Sequence, residues 1–360
     1  MIDMKRTCLM FCLMLVFIWS CSNDSGTALN PGTGSPTNDW AIPVNEVRDG
    51  GPGKDGIPSV DRPNFSNVES INFLNPNDLV MAIKVGEEVR VYPHPILDWH
   101  EIVNDEFGAD LSVSIVYCPL TGTGMGWNRI VNGQKTTFGV SGLLYNTNII
   151  PYDRATDSNW SQMEHACVNG PLIGTEVETV HVIETAFSTI RQMYPDARVQ
   201  NTNTGFNRDY RRYPYGDYRT NNNSLIFPVS NDDSRLPRKE RVLAVFIDAK
   251  AKAYSFDSFS AQTVNVVQDQ FMGTNLVVLG SQELNFLTAY NATLPDGTQG
   301  NFEAVQDALP VVMQDQNGNR YNLFGEIVEG PLAGEQLTEE LNYIGYWFSF
   351  AAFNPDIELF

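Results

Sequence analysis

The sequence predicts a mainly β fold with a few short helices, an α+β chain built as two tandem duplicated barrel- or sandwich-like units. Three observations carry this. Short β-branched or aromatic runs alternate with period two, as in "EVRVYP", "LSVSIVY", "KTTFGV" and "RVLAVFI". Helical pattern is confined to a few short stretches. The chain also repeats itself: "LVMAIKVGEEVRVYPHPILDWHEIVND" from Leu79 aligns with "VLAVFIDAKAKAYSFDSFSAQTVNVVQD" from Val242, with Val80 on Val242 at an offset of 162.

The first twenty residues read as a lipoprotein signal peptide. Lys5 and Arg6 precede an apolar run from Leu9 to Trp19, too short to span a bilayer. It ends in "FIWSC", which resembles a bacterial lipobox and implies cleavage before Cys21 and lipid on the Cys21 thiol. The alternative is an ordinary secretory signal. Residues 21–39 are mostly Ser, Gly, Thr, Asn and Pro and form a flexible tether reaching roughly 25 Å. The chain is therefore expected in the bacterial cell envelope, held to a membrane by the lipid on Cys21.

The first β-rich unit runs over 40–198 and the second, degenerate one over 242–360. "NGPLIGTEVE" pairs with "EGPLAGEQLT", and "MYPDARV" with "FNPDIEL", both at an offset of 160. Each unit should end in a Gly-Pro-Leu turn, a short helix ("ETAFSTIRQM" against "YIGYWFSFAAF") and a Pro-Asp cap. Asn132–Gly133 and Asn317–Gly318 each signal a hairpin. The Tyr/Arg-rich connector 199–241 is long for a structureless loop and reads either as a piece packing across both units or as a surface link.

The repeat acts as an internal control. His100 faces Gln262, Cys118 faces Gly280, His165 faces Gly325 and Cys167 faces Ile327. These histidines and cysteines of the first unit have no equivalents in the second, which makes the first unit the candidate for chemistry. The formal charge of −20 repels phosphate backbones, so nucleic-acid binding is discarded. "GVSGL" at 139–143 fails as a nucleophile elbow, since Leu143 stands where the last glycine should be, and Ser141 reads as a turn residue. "GTGMG" at 122–126 lacks the spacing of a nucleotide loop.

Several segments in order, "GGPGKDGIPSVDRPNF", "ILDWHEIVND", "YCPLTGT", "TFGVSGLLYNTNIIPYDRATDSNWSQ", "RRYPYGDY" and "RLPRKERV", resemble the bacterial domain-of-unknown-function family 3179 from about Gly50 to Phe360. The resemblance implies an exported protein and no activity. His100 matches the histidine of the family's Trp-His-Glu motif, and Cys118 the first cysteine of a Tyr-Cys-Pro-Leu-Cys-Gly-Thr segment. Thr121 stands where the second cysteine is expected.

Three functions follow for these residues. His100, Cys118, His165 and Cys167 supply nitrogen and sulfur ligands suited to copper or zinc, so transition-metal binding is the first reading. The second is a thiol-dependent enzyme with Cys118 as nucleophile, His100 as its base, and Asp98, Glu101 or Asp105 orienting the imidazole. The third is a non-catalytic lipoprotein that binds a small molecule or protein partner and carries a Cys118–Cys167 disulfide. Each of these expects His100 or Cys167 close to Cys118.

Overall fold

The computed structural model describes residues 39–360; Cys21 and the leader lie outside them. The chain is mainly β, with sheets stacked as sandwiches and three short α-helices: α1 (His94–His100), α2 (Phe187–Met193) and α3 (Trp347–Phe353).

Among the described residues the first half builds three five-stranded sheets and one two-stranded ribbon from its own strands, and the second half builds three sheets. In the first half one sheet runs in the order 183–186, 79–85, 88–93, 198–200, 65–67; its counterpart in the second runs 341–346, 241–247, 250–255, 358–359. The hairpin joining the second and third strands of each turns in two residues. Gly86 has φ 55, while Asp248 and Ala249 have φ 49 and 59, the left-handed backbone that matches the strands' twist. The middle sheets contain 102–107, 111–118 and 123–128 in one half and 265–271, 274–281 and 286–291 in the other. Asn132–Gly133 and Asn317–Gly318 both join paired strands, Gln134 against Val131 and Gln314 against Arg320.

The stretches expected to be helical are half strand. Ile183–Ala186 pairs with Leu79–Ala82, and Leu341–Tyr346 with Arg241–Phe246, before α2 and α3 begin. Ladder hydrogen bonds to a neighbouring central strand outweigh the weak local helix preference there. Both helices then end alike: Tyr194 N donates to Ile190 O and Asn354 N to Phe350 O, and the proline that follows each cap prevents another turn.

Among the described residues no sheet mixes the halves, but two cores do. Ile102, Val116, Cys118 and Trp127 of the first half pack with Val242, Ala244, Trp347 and Phe350 of the second. Val80, Val91, Ile183 and Phe187 pack in turn with Val277, Phe286, Tyr290 and Tyr321. Each terminal helix thus completes a core of the other half. Cys118 lies in the first of these shared cores, under α3 and the connector.

Candidate functional site

Cys118 ends the strand Leu111–Cys118 and pairs with Thr123 across a four-residue turn. Gly122 N donates to Cys118 O at 2.8 Å, with φ 64 at Gly122. A Cβ there would lie 3.0 Å from the Tyr346 ring, so the turn demands glycine twice over. The strand ends, Cys118 on Thr123 and Ser281 on Phe286, put Cys118 opposite Ser281 rather than the Gly280 that a constant offset of 162 indicates. Two more residues between Ser255 and Asn265 than between Pro93 and Glu101, less one in the shorter hairpin at Met272–Gly273, account for the slip.

The Cys118 side chain is fully buried, with Sγ 3.7 Å from Thr147 O. Burial first, and the Glu101 charge second, push its pKa up to about 11. The sulfur is a thiol at neutral pH. Thr121 makes no thiol-like site either. Its hydroxyl joins a buried polar knot with Thr123 (2.8 Å) and Asn148 Nδ2 (2.9 Å), which Gln162 closes by accepting from Thr123 (2.6 Å) and Asn148 (2.7 Å).

His100 does not serve Cys118. It is fully buried at the end of α1, with Nδ1 2.7 Å from Pro58 O and Nε2 2.7 Å from the Tyr210 hydroxyl. A ring nitrogen facing a carbonyl carries the proton, and in the neutral ring Nε2 then accepts from Tyr210. Burial also lowers its pKa. None of the three acids expected to orient it does so. Asp98 pairs with Arg219 (3.1 Å), and Asp105 accepts from Arg90 (2.8 Å) and Tyr92 (2.7 Å).

The third acid, Glu101, is the one beside Cys118. It caps α1 with φ 58 and ψ −35, outside the left-handed helical well, a conformation costing about 1–3 kcal/mol. The residue is 4 % exposed, and Tyr215 donates to its carboxyl at 3.3 Å. Burial pushes its pKa up to about 7. Tyr215 comes from the connector, which covers the turn: Tyr218 donates to Leu120 O at 2.9 Å, and Lys239 Nζ clamps the Tyr218, Asn221 and Ser224 carbonyls.

Cys167 belongs to the same core as Cys118, but its sulfur has other partners, and His165 lines a cleft. The Cys167 sulfur donates to Asn169 O at 3.4 Å beside Ser158 and Asp153, and shares no such neighbour with the Cys118 sulfur. Both cysteines are free, so the expected disulfide is not formed. The four residues expected as metal ligands do not gather in this structure either. Among the described residues no three His, Cys, Asp or Glu side chains converge as ligands. The physical reason is that His100 and the two sulfurs are each bonded to separate carbonyls or hydroxyls.

His165 instead lines an open cleft of about 560 Å³ between the halves, with Phe246, Asp248 and Phe353 opposite it. Its φ of 54 matches the 76 of Gly325, its counterpart in the repeat. Its ring sits edge-on against Phe246 and Tyr343, 5.6 Å from each, and burial lowers its pKa to about 4.

A family profile described as "Protein of unknown function (DUF3179)" matches residues 54–357. The chain belongs to this family. No curated protein and no solved structure matches it. Within the matched span of this DUF3179 member, the segments around His100, Cys118 and Tyr215 come together in space, with Glu101 and not His100 turned to the cysteine.

Sequence reasoning on this DUF3179 chain missed Glu101 as a residue in its own right, and missed the cleft. The neighbour of a motif histidine carries no signal of its own orientation. The cleft is made by four stretches far apart in the chain, 124–125, 163–182, 246–249 and 339–354. The repeat did flag His165, through the glycine at its counterpart.

Proposed function

We propose that this DUF3179 member is an exported, lipid-anchored envelope protein that binds a ligand in the cleft between its halves, with no chemistry at Cys118. The leader and the cysteine after "FIWS" support export and anchoring at Cys21. The matched strand orders and offsets support descent of the two halves from a duplicated unit, the second having lost its polar residues. The observation that carries the binding reading is the cleft itself. It is open, joins residues of both halves, and contains two buried polar groups without a partner, His165 Nε2 and the Tyr343 hydroxyl. Leaving such groups unpaired costs about 1–3 kcal/mol each, which a ligand would recover.

A thermal-shift survey over a chemically diverse set of metabolites tests this. At least one class should raise the melting temperature of the wild type and not of Thr179→Trp, which fills the cleft. No shift in the wild type, or equal shifts in both, would reject the reading.

One observation favours a second reading. A buried carboxyl in a strained conformation with no cation beside it is a mark of acid–base sites. Glu101 would then take a proton from a substrate admitted beneath the connector. Its signature is an activity lost in Glu101→Gln and kept in His100→Gln; equal loss in both variants counts against it.

A further inference from the structure

The ligand class follows from what lines the cleft, and the inference rests on the binding reading above. Two pockets, of about 560 and 210 Å³, adjoin and share Thr179 and Leu341. The larger has the carboxylates of Glu164, Glu176 and Asp248, and the smaller those of Glu339 and Glu340. Among the described residues no lysine or arginine lines either one. Glu339 is engaged by His181 at 2.6 Å, and Glu340 accepts from Asn291 at 3.1 Å. Among the described residues Glu164, Glu176 and Asp248 are in no ion pair, and Glu164 and Glu176 are exposed to the cleft.

The second observation is independent of the acids. Tyr343 is 5 % exposed, lines the smaller pocket, and has a hydroxyl with no partner. It stacks on Phe246 of the larger pocket, with centroids 5.1 Å apart and planes at 13°. His165 Nε2 beside them is also unpartnered, and the neutral ring can accept a hydrogen bond there. Unpaired acceptors, carboxylates without cations and an aromatic wall together select a cation that carries N–H groups. A quaternary ammonium has none. A metal ion needs converging ligands, which these are not. Two acidic pockets that adjoin at the apolar Leu341 suit a chain of methylenes with an ammonium at intervals.

We propose that the cleft binds a linear aliphatic polyamine. Titration calorimetry of the full-length protein in detergent with spermidine tests this. Binding should be one-to-one, weaken with added salt, resist competition by tetraethylammonium, and fall about tenfold or more in Glu164→Gln/Glu176→Gln. These two side chains are surface-accessible, so the variant should keep the wild-type melting temperature. Phe246→Leu provides a second, conservative lesion with the same expected loss. Spermidine uptake that is many-sited, or equal in wild type and both variants, overturns the proposal, since the general acidic surface would explain it. So does preference for a lysine oligopeptide with no binding of spermidine. If spermidine fails while an uncharged or anionic compound gives a shift that Thr179→Trp abolishes, the ligand class is wrong and the binding reading stands.

Discussion

Tyr215 donates a hydrogen bond to the Glu101 carboxyl across 3.3 Å, tying the connector to the end of α1 directly over the Cys118 turn. Through this contact the motif histidine faces one way and its glutamate the other. It also closes the cysteine from solvent.

The buried carboxyl makes stability depend on pH. Glu101 titrates near 7 when folded and near 4.5 when exposed, so the native state holds the extra proton between those values. Stability is therefore lost as pH rises through that window. Glu101→Gln removes the dependence, and the variant should gain on the order of 3 kcal/mol relative to wild type between pH 5 and pH 8. Urea unfolding of both proteins at the two pH values checks this; parallel profiles would show that Glu101 is not the titrating group.

The Cys118 thiol should be inert. Iodoacetamide at pH 8 should leave the Cys118 peptide unmodified in native protein and label it fully in urea, read by peptide mapping. His100→Gln should change neither result, because His100 is bonded to Pro58 and Tyr210. Rapid native labelling that depends on His100 would restore the thiol–imidazole pair.

Thr121→Val keeps the volume and removes the hydroxyl that Asn148 and Thr123 share. Leaving those buried groups short of a partner should cost about 1–3 kcal/mol, measured by chemical denaturation. A neutral effect would place water or slack in that knot.

Separate expression of residues 40–198 should yield no cooperatively folded protein. Trp347 and Phe350 are fully buried in the core that contains Cys118, and each contributes about 1.5–3 kcal/mol. Against a total stability of roughly 5–15 kcal/mol, losing them and their neighbours is decisive. A sharp thermal transition in the isolated half would contradict the shared cores.

Much of the fold was legible because it is local. Strand alternation, the two Asn-Gly hairpins and the helix-ending prolines act within a few residues of themselves. The repeat placed His165 at a position whose counterpart is glycine, and both take positive φ. The strands Ile183–Ala186 and Leu341–Tyr346 were not legible as strands, since their pairing partners lie about 100 residues away. The convergence of His100, Cys118, His165 and Cys167 failed for a related reason. Residue type indicates what can ligate, while Pro58, Tyr210, Thr147 and Asn169 decide what is already bonded.

On the proposed reading, function resides in the cleft and not at Cys118. The most direct measurement is the ligand-induced thermal shift of Cys118→Ser beside that of Thr179→Trp, with the same compounds. Cys118→Ser should keep the full shift of the wild type and Thr179→Trp should lose it. A shift lost in Cys118→Ser and kept in Thr179→Trp would return the site to the cysteine.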